Sequence, residues 1–153
     1  MKLPIVAGIL SGIVTGAAAL TPPAPTVLFV CEHGSAKSVV AVAHFNRLAA
    51  ERGLKIRAVS RGTVPDQEMA PPAVAGLRGD GLAPAEAKPA LLDQSDLDAA
   101  VRVVTFCELP PELKSAVPVE RWEVPPVSVD YAASRTALVE RIEKLLRELP
   151  AER

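Results

Sequence analysis

The sequence predicts an α/β domain built on a doubly wound parallel sheet. Two short runs, Thr26 to Val30 and Val101 to Phe106, are rich in β-branched residues and apolar enough to be strands buried on both faces. Segments with helical apolar spacing lie between and after them, and this alternation points to helices covering a parallel sheet. Length is the third observation, since 153 residues fit one self-supporting core.

The elements follow in order. The first 25 residues read differently from the rest: Met1-Lys2 is a short positive start, Leu3 to Leu20 is apolar, and Ala17-Ala18-Ala19 offers a small-residue cleavage site. Residues 1–19 therefore read as a secretory signal, with an uncleaved membrane anchor as the alternative. Residues 20–25, with Thr21-Pro-Pro-Ala-Pro25, form a stiff lead-in, and 26–150 form the domain. Export makes the protein periplasmic or secreted. Membrane contact is expected only if the leader stays attached.

Past the first strand, Val42, Phe45, Leu48 and Ala49 recur at helical spacing from Ser38 to Arg52, and Gly53 stands where that helix stops. Lys55 to Ser60 reads as the second strand, and Ala70 to Arg78 as a helix opened by Pro71-Pro72. Asp93 to Ala100 adds a short helix before the strand at Val101, and Arg121 to Val124 a short fourth strand. Leu138, Ile142, Leu145, Leu146 and Leu149 form the apolar stripe of a closing helix that Pro150 ends.

Charge narrows the partners. Lys and Arg total 17 against 18 Asp and Glu, so nothing steers the chain to nucleic acid. His33 and His44 are the only histidines, and neither has a second ligand at metal spacing. No metal or other cofactor is expected, and His44 is expected on the surface of the first helix.

Cys31 stands just past the first strand, and Cys31 to Lys37 links that strand to a helix. A small-residue loop in this place can turn several backbone N–H groups inward beside a helix N-terminus, making a seat for an anion. The same field activates a thiol as nucleophile. A structural cysteine at a tight turn is the alternative. Cys107 ends the next long strand, on the sheet edge where ligands bind in open parallel sheets. In an oxidising compartment the two thiols could also form a resting disulfide.

The run Val27 to Ser38, Val-Leu-Phe-Val-Cys-Glu-His-Gly-Ser-Ala-Lys-Ser, resembles the phosphate loop of low-molecular-weight protein tyrosine phosphatases and their thioredoxin-coupled arsenate reductase relatives. The family pattern is Cys, five residues, Arg, Ser, and the reductase version reads Cys-x-His-Asn-Ser-Ala-Arg-Ser. Val59-Ser60-Arg61-Gly62-Thr63, Gly79-Asp80-Gly81-Leu82, Val103 to Cys107 and Trp122 continue the likeness in order. The resemblance implies a three-layer, four-stranded parallel sheet in the order 2-1-3-4. It implies that Cys31 is the nucleophile, that Ser38 activates it, and that the backbone of Glu32, His33, Gly34, Ser35, Ala36 and Lys37 cradles an oxyanion. Phosphate, arsenate or a phosphorylated substrate would be the partner, with a thiol reductant in the reductase case, where Cys107 would be the resolving thiol.

Two positions depart from the family pattern. Lys37 replaces the arginine, and an ammonium is a mobile point charge where a guanidinium grips two oxygens in a planar fork. The family's Asp-Pro pair after the tryptophan is missing: Trp122 is followed by Glu123-Val-Pro-Pro126, with Asp130-Tyr131 as a faint echo. Glu123 and Asp130 are expected to be solvated. Gly34 also replaces an asparagine that braces the loop. Three functions stay open: an oxyanion-binding protein of weak or degenerate catalysis, an active arsenate reductase using Cys31 and Cys107, and a non-catalytic exported protein with a Cys31–Cys107 disulfide.

Overall fold

The computed structural model describes residues 24–150. The expected leader, 1–19, and most of the lead-in lie outside the described residues. Among the described residues no helix is long and apolar enough to cross a membrane.

The elements run β1 (Thr26–Cys31), α1 (Lys37–Glu51), β2 (Arg57–Gly62), α2 (Pro71–Gly79), α3 (Gln94–Ala99), β3 (Ala100–Thr105), β4 (Val119–Arg121) and α4 (Tyr131–Glu148). The sheet is parallel in the order β2-β1-β3-β4, as the resemblance implies. Central β1 shows why both of its faces had to be apolar. Side chains alternate along a strand, so Val27 and Phe29 enter the larger core with α1 and α4, while Leu28 and Val30 enter the smaller core with Leu97 of α3. Phe29 anchors the larger core, meeting Phe45 and Trp122 edge to face at centroid distances of 6.0 and 5.6 Å.

Element limits differ from the sequence reading where packing decides them. β2 starts at Arg57 and continues to Gly62, because its ladder with β1 runs from Thr26↔Arg57 to Cys31↔Gly62. β4 lies two residues before its expected start, and its three residues are all exposed. Its place is set by pairing with β3, Val103↔Val119 to Thr105↔Arg121, and no apolar run marks it.

His44 is a correction. It was expected on the surface, yet it is 1% exposed and faces Asp80, with Nε2 3.3 Å from Oδ2 and 3.4 Å from the Tyr131 hydroxyl. The helical spacing of α1 marks one apolar stripe, but α2 and α4 close over a second side of that helix. Desolvation lowers the His44 pKa below its ordinary value, against the opposing pull of Asp80.

Candidate functional site

The parallel strands point their carboxyl ends to one edge, and β1 delivers Cys31 there, 8% exposed, with α1 starting at Lys37. Between them the loop is held from outside by its carbonyls. Thr63 N–H donates to the Cys31 carbonyl, Val64 to Glu32, Asp66 to His33 and Ala70 to Ser35, while the Ala36 carbonyl takes the first helical bond of α1 from Val40, at 2.7 to 3.2 Å. In a trans peptide the N–H points opposite to the C=O of the same unit, and no cis peptide occurs among the described residues. Outward carbonyls at 31, 32, 33, 35 and 36 therefore turn the N–H groups of Glu32, His33, Gly34, Ala36 and Lys37 toward the concave side.

That concavity is a cavity of about 340 Å³ lined by Cys31, Glu32, His33, Ser35, Ala36 and Lys37, with Cys107 and Phe106 from the end of β3 and Pro126, Val127 and Ser128 from the loop before α4. The sequence-derived residues thus meet in one place, except Gly34 and Ser38, which lie behind it. Gly34, at φ +59, faces Gly62: a Cβ there would sit 2.8 Å from the Gly62 nitrogen. Ser38 is fully buried and its hydroxyl lies 2.9 Å from Cys31 Sγ. Ser60 Oγ stands 2.7 Å behind it, completing a buried Cys–Ser–Ser chain. The hydroxyl of Ser38 can donate to a thiolate and take a bond from Ser60 in return.

Both cysteines are free thiols. Burial pushes the Cys107 thiol up, opposed by a hydrogen bond from Thr63 and reinforced by Cys31 and Glu32, so it holds its proton at neutral pH. Lys37 makes no ion pair among the described residues, which leaves its charge for an anion in the cavity.

The two carboxylates near the missing Asp-Pro pair serve elsewhere. Glu123 is exposed and paired with Arg121 at 3.2 Å. Asp130 caps α4 by accepting from Ala133 N–H at 2.9 Å. Tyr131 turns away from the cavity, its hydroxyl donating to Asp80 at 2.6 Å. Among the described residues no group of three or more potential ligands could hold a metal ion.

Comparison with known proteins places this geometry. The family model of the low molecular weight phosphotyrosine protein phosphatases matches residues 26–124. The chain belongs to that family. It is 34% identical to an arsenate reductase from Archaeoglobus fulgidus, covering 78% of this chain and 97% of the other, with a TM-score of 0.63. The thioredoxin-dependent arsenate reductase of Corynebacterium glutamicum is 23% identical over 84% of this chain and 63% of its own, with a TM-score of 0.66. A low molecular weight protein tyrosine phosphatase from T. tengcongensis is 21% identical over 82% and 99%, with a TM-score of 0.65. These last two share the fold. No curated protein matches the chain.

What sequence reasoning missed at this family site is Asp66. It accepts from Ser35 Oγ at 2.8 Å and lies 3.4 Å from His33 Nδ1. No strand or helix pattern marks it, since it sits in an irregular stretch between β2 and α2. Its one sequence signal is position, a few residues beyond the Ser-Arg-Gly-Thr segment that ends β2.

Proposed function

We propose that the loop from Cys31 to Ser38 binds a small oxyanion, phosphate or arsenate, with Cys31 as nucleophile, and that the chain is a slow enzyme on phosphate esters. One observation carries this reading: four loop carbonyls are tied outward and a fifth starts α1, while Cys31, Lys37 and a concavity lie on the other side. Converging N–H groups beside a helix N-terminus stabilise negative charge, which supports both ground-state binding and a trigonal phosphoryl group in transfer. The slowness follows from the replaced groups. An arginine positioned on a phosphoryl group in other systems contributes about 10³-fold or more, and general acid help is typically worth about 10² to 10⁴.

Phosphate or arsenate at millimolar concentration should raise the melting temperature of the reduced protein, and Lys37→Ala should remove most of that rise. An unchanged melting temperature at high millimolar anion would end the reading. Turnover of an aryl phosphate should vanish in Cys31→Ser, and Lys37→Arg with Pro126→Asp should raise it at least tenfold, in line with the acid and charge terms.

A second reading, arsenate reduction, is favoured by Cys107 in the same cavity as Cys31 and by the 34% identity to a protein described as an arsenate reductase. Cys31 would add to arsenate, and Cys107 would attack the Cys31 sulfur, releasing arsenite and leaving a disulfide that an external thiol must reduce. Because burial keeps the Cys107 proton in place, single-turnover reduction should speed up with rising pH, and Cys107→Ser should abolish it. The leader pattern supports export, where an oxidised Cys31–Cys107 pair would be the resting form and thiol titration of the unreduced protein would find no free cysteine.

A further inference from the structure

The loop between β4 and α4 gives the cavity Pro126, Val127 and Ser128, and no carboxylate. An ester oxygen leaving from Cys31-bound phosphorus therefore needs its proton from another wall. The proton-bearing side chains that line the cavity are Cys31, Glu32, His33, Lys37 and Cys107, with the hydroxyls of Ser35 and Ser128. Lys37 has donors and no acceptor when charged, which suits it to hold an anion and not to pass a proton back and forth.

His33 is built differently from a free surface histidine. Its Nδ1 lies 3.3 Å from the Val64 carbonyl oxygen and 3.4 Å from Asp66 Oδ1. A carbonyl only accepts, so this contact assigns a proton to Nδ1 and leaves Nε2 as the atom that gains or loses one. Asp66 is itself fixed twice, by Ser35 Oγ at 2.8 Å and by its own N–H on the His33 carbonyl at 3.0 Å. Glu32 Oε2 lies 3.8 Å from Nε2. A carboxylate oxygen thus lies within 4 Å of each ring nitrogen.

We propose that His33 is the proton-transfer residue of the Cys31 cavity and that Asp66 is its positioning residue, together replacing the carboxylate absent after Trp122. The inference rests on the reading of Cys31 as a nucleophile. In the first step the Cys31 thiolate bonds to phosphorus, the bond to the ester oxygen breaks, and Nε2–H gives that oxygen its proton. In the second, neutral His33 takes a proton from water as the water oxygen bonds to phosphorus and the sulfur–phosphorus bond breaks. Alcohol and phosphate leave, with thiolate and imidazolium restored. The ring acts as acid and then as base, as an aspartate would in the same place.

The test compares an activated nitrophenyl phosphate with unactivated phenyl phosphate, using the full chain fully reduced. Protonation matters little for a good leaving group and much for a poor one. His33→Asn should therefore lower kcat/KM for phenyl phosphate by about 10² more than for the nitrophenyl ester. Asp66→Asn, which keeps an acceptor for Ser35, should shift the ratio in the same direction by less. A loop that is merely distorted loses both esters equally, and equal losses in His33→Asn would overturn the proposal. So would finding the selectivity change in Glu32→Gln or Cys107→Ala instead. Failure of the underlying reading looks different: wild-type protein would turn over neither ester, Cys31→Ser would retain turnover, or phosphate would leave the melting temperature unmoved.

Discussion

Gly34 and Gly62 let the loop and the end of β2 touch backbone to backbone. A Cβ on Gly62 would sit 2.8 Å from the Gly34 nitrogen, and one on Gly34 would meet the Gly62 nitrogen at the same distance. Gly34 also has φ +59, where a side chain adds strain. Gly34→Ala should therefore cost about 1 to 3 kcal/mol, read by urea denaturation, and weaken anion binding as the loop is pushed off β2. Stability equal to wild type would mean that Thr63 and Val64 do not clamp the loop. At this scale the sequence is informative about chemistry and silent about distance. The Ser38 hydroxyl returns to the Cys31 thiol at 2.9 Å, and that pairing follows from the family resemblance, whose pattern sets a serine seven positions after the thiol. Ser60 and Asp66 do not, since each reaches the loop only through the β1–β2 pairing and the crossover that follows β2.

Among elements, β1 and β3 were legible because their burial is written into an apolar, β-branched composition. β4 and the seam between α2 and α4 were not, because each depends on a partner distant in sequence. That seam is closed at Gly76, where a Cβ would lie 2.2 Å from Tyr131 Cδ2. The Tyr131 ring is held there by its hydroxyl on Asp80 at 2.6 Å and by Arg135, whose guanidinium sits 5.8 Å from the ring centroid. On an isolated helix Gly76→Ala would gain about 1 kcal/mol in propensity. Here the whole ring must move, and overpacking of that kind costs about 1 to 3 kcal/mol. Net destabilisation is expected in thermal unfolding. Adding Tyr131→Ala removes the obstruction, so the effect of Gly76→Ala measured in that background should change sign.

At the scale of the molecule, α1, α2 and α4 meet at one polar cluster in which buried His44 is covered by partly exposed Asp80, Tyr131 and Arg135, on the face of the sheet that carries the larger core. Its members come from three helices, which is why reading α1 alone put His44 outside. Burial keeps His44 neutral, so its folded pKa lies below the ordinary 6.5. Burial alone would raise Asp80, but hydrogen bonds from Tyr131 and Arg135 and the Arg135 charge bring it below 3.8. The unfolded chain therefore binds a proton at His44 that the folded chain refuses, and stability rises with pH across that window. It is fully present above pH 6.5 and drains away as pH falls from there toward the folded value; Asp80 adds a second loss below pH 3.8. Denaturant unfolding between pH 7.5 and pH 5 should show a loss in wild type that His44→Gln, though less stable at neutral pH, lacks. A wild-type curve flat through that range would mean that the imidazole is solvated and the three helices do not seal it. The cavity at Cys31 opens on the carboxyl edge of the sheet, and Asp80 joins α2 to α4 through Tyr131 and Arg135. Loss of the Asp80 charge below pH 3.8 should therefore loosen this joint and free Pro72 on α2 and Pro126 before α4 together, so anion binding should weaken in that acid range.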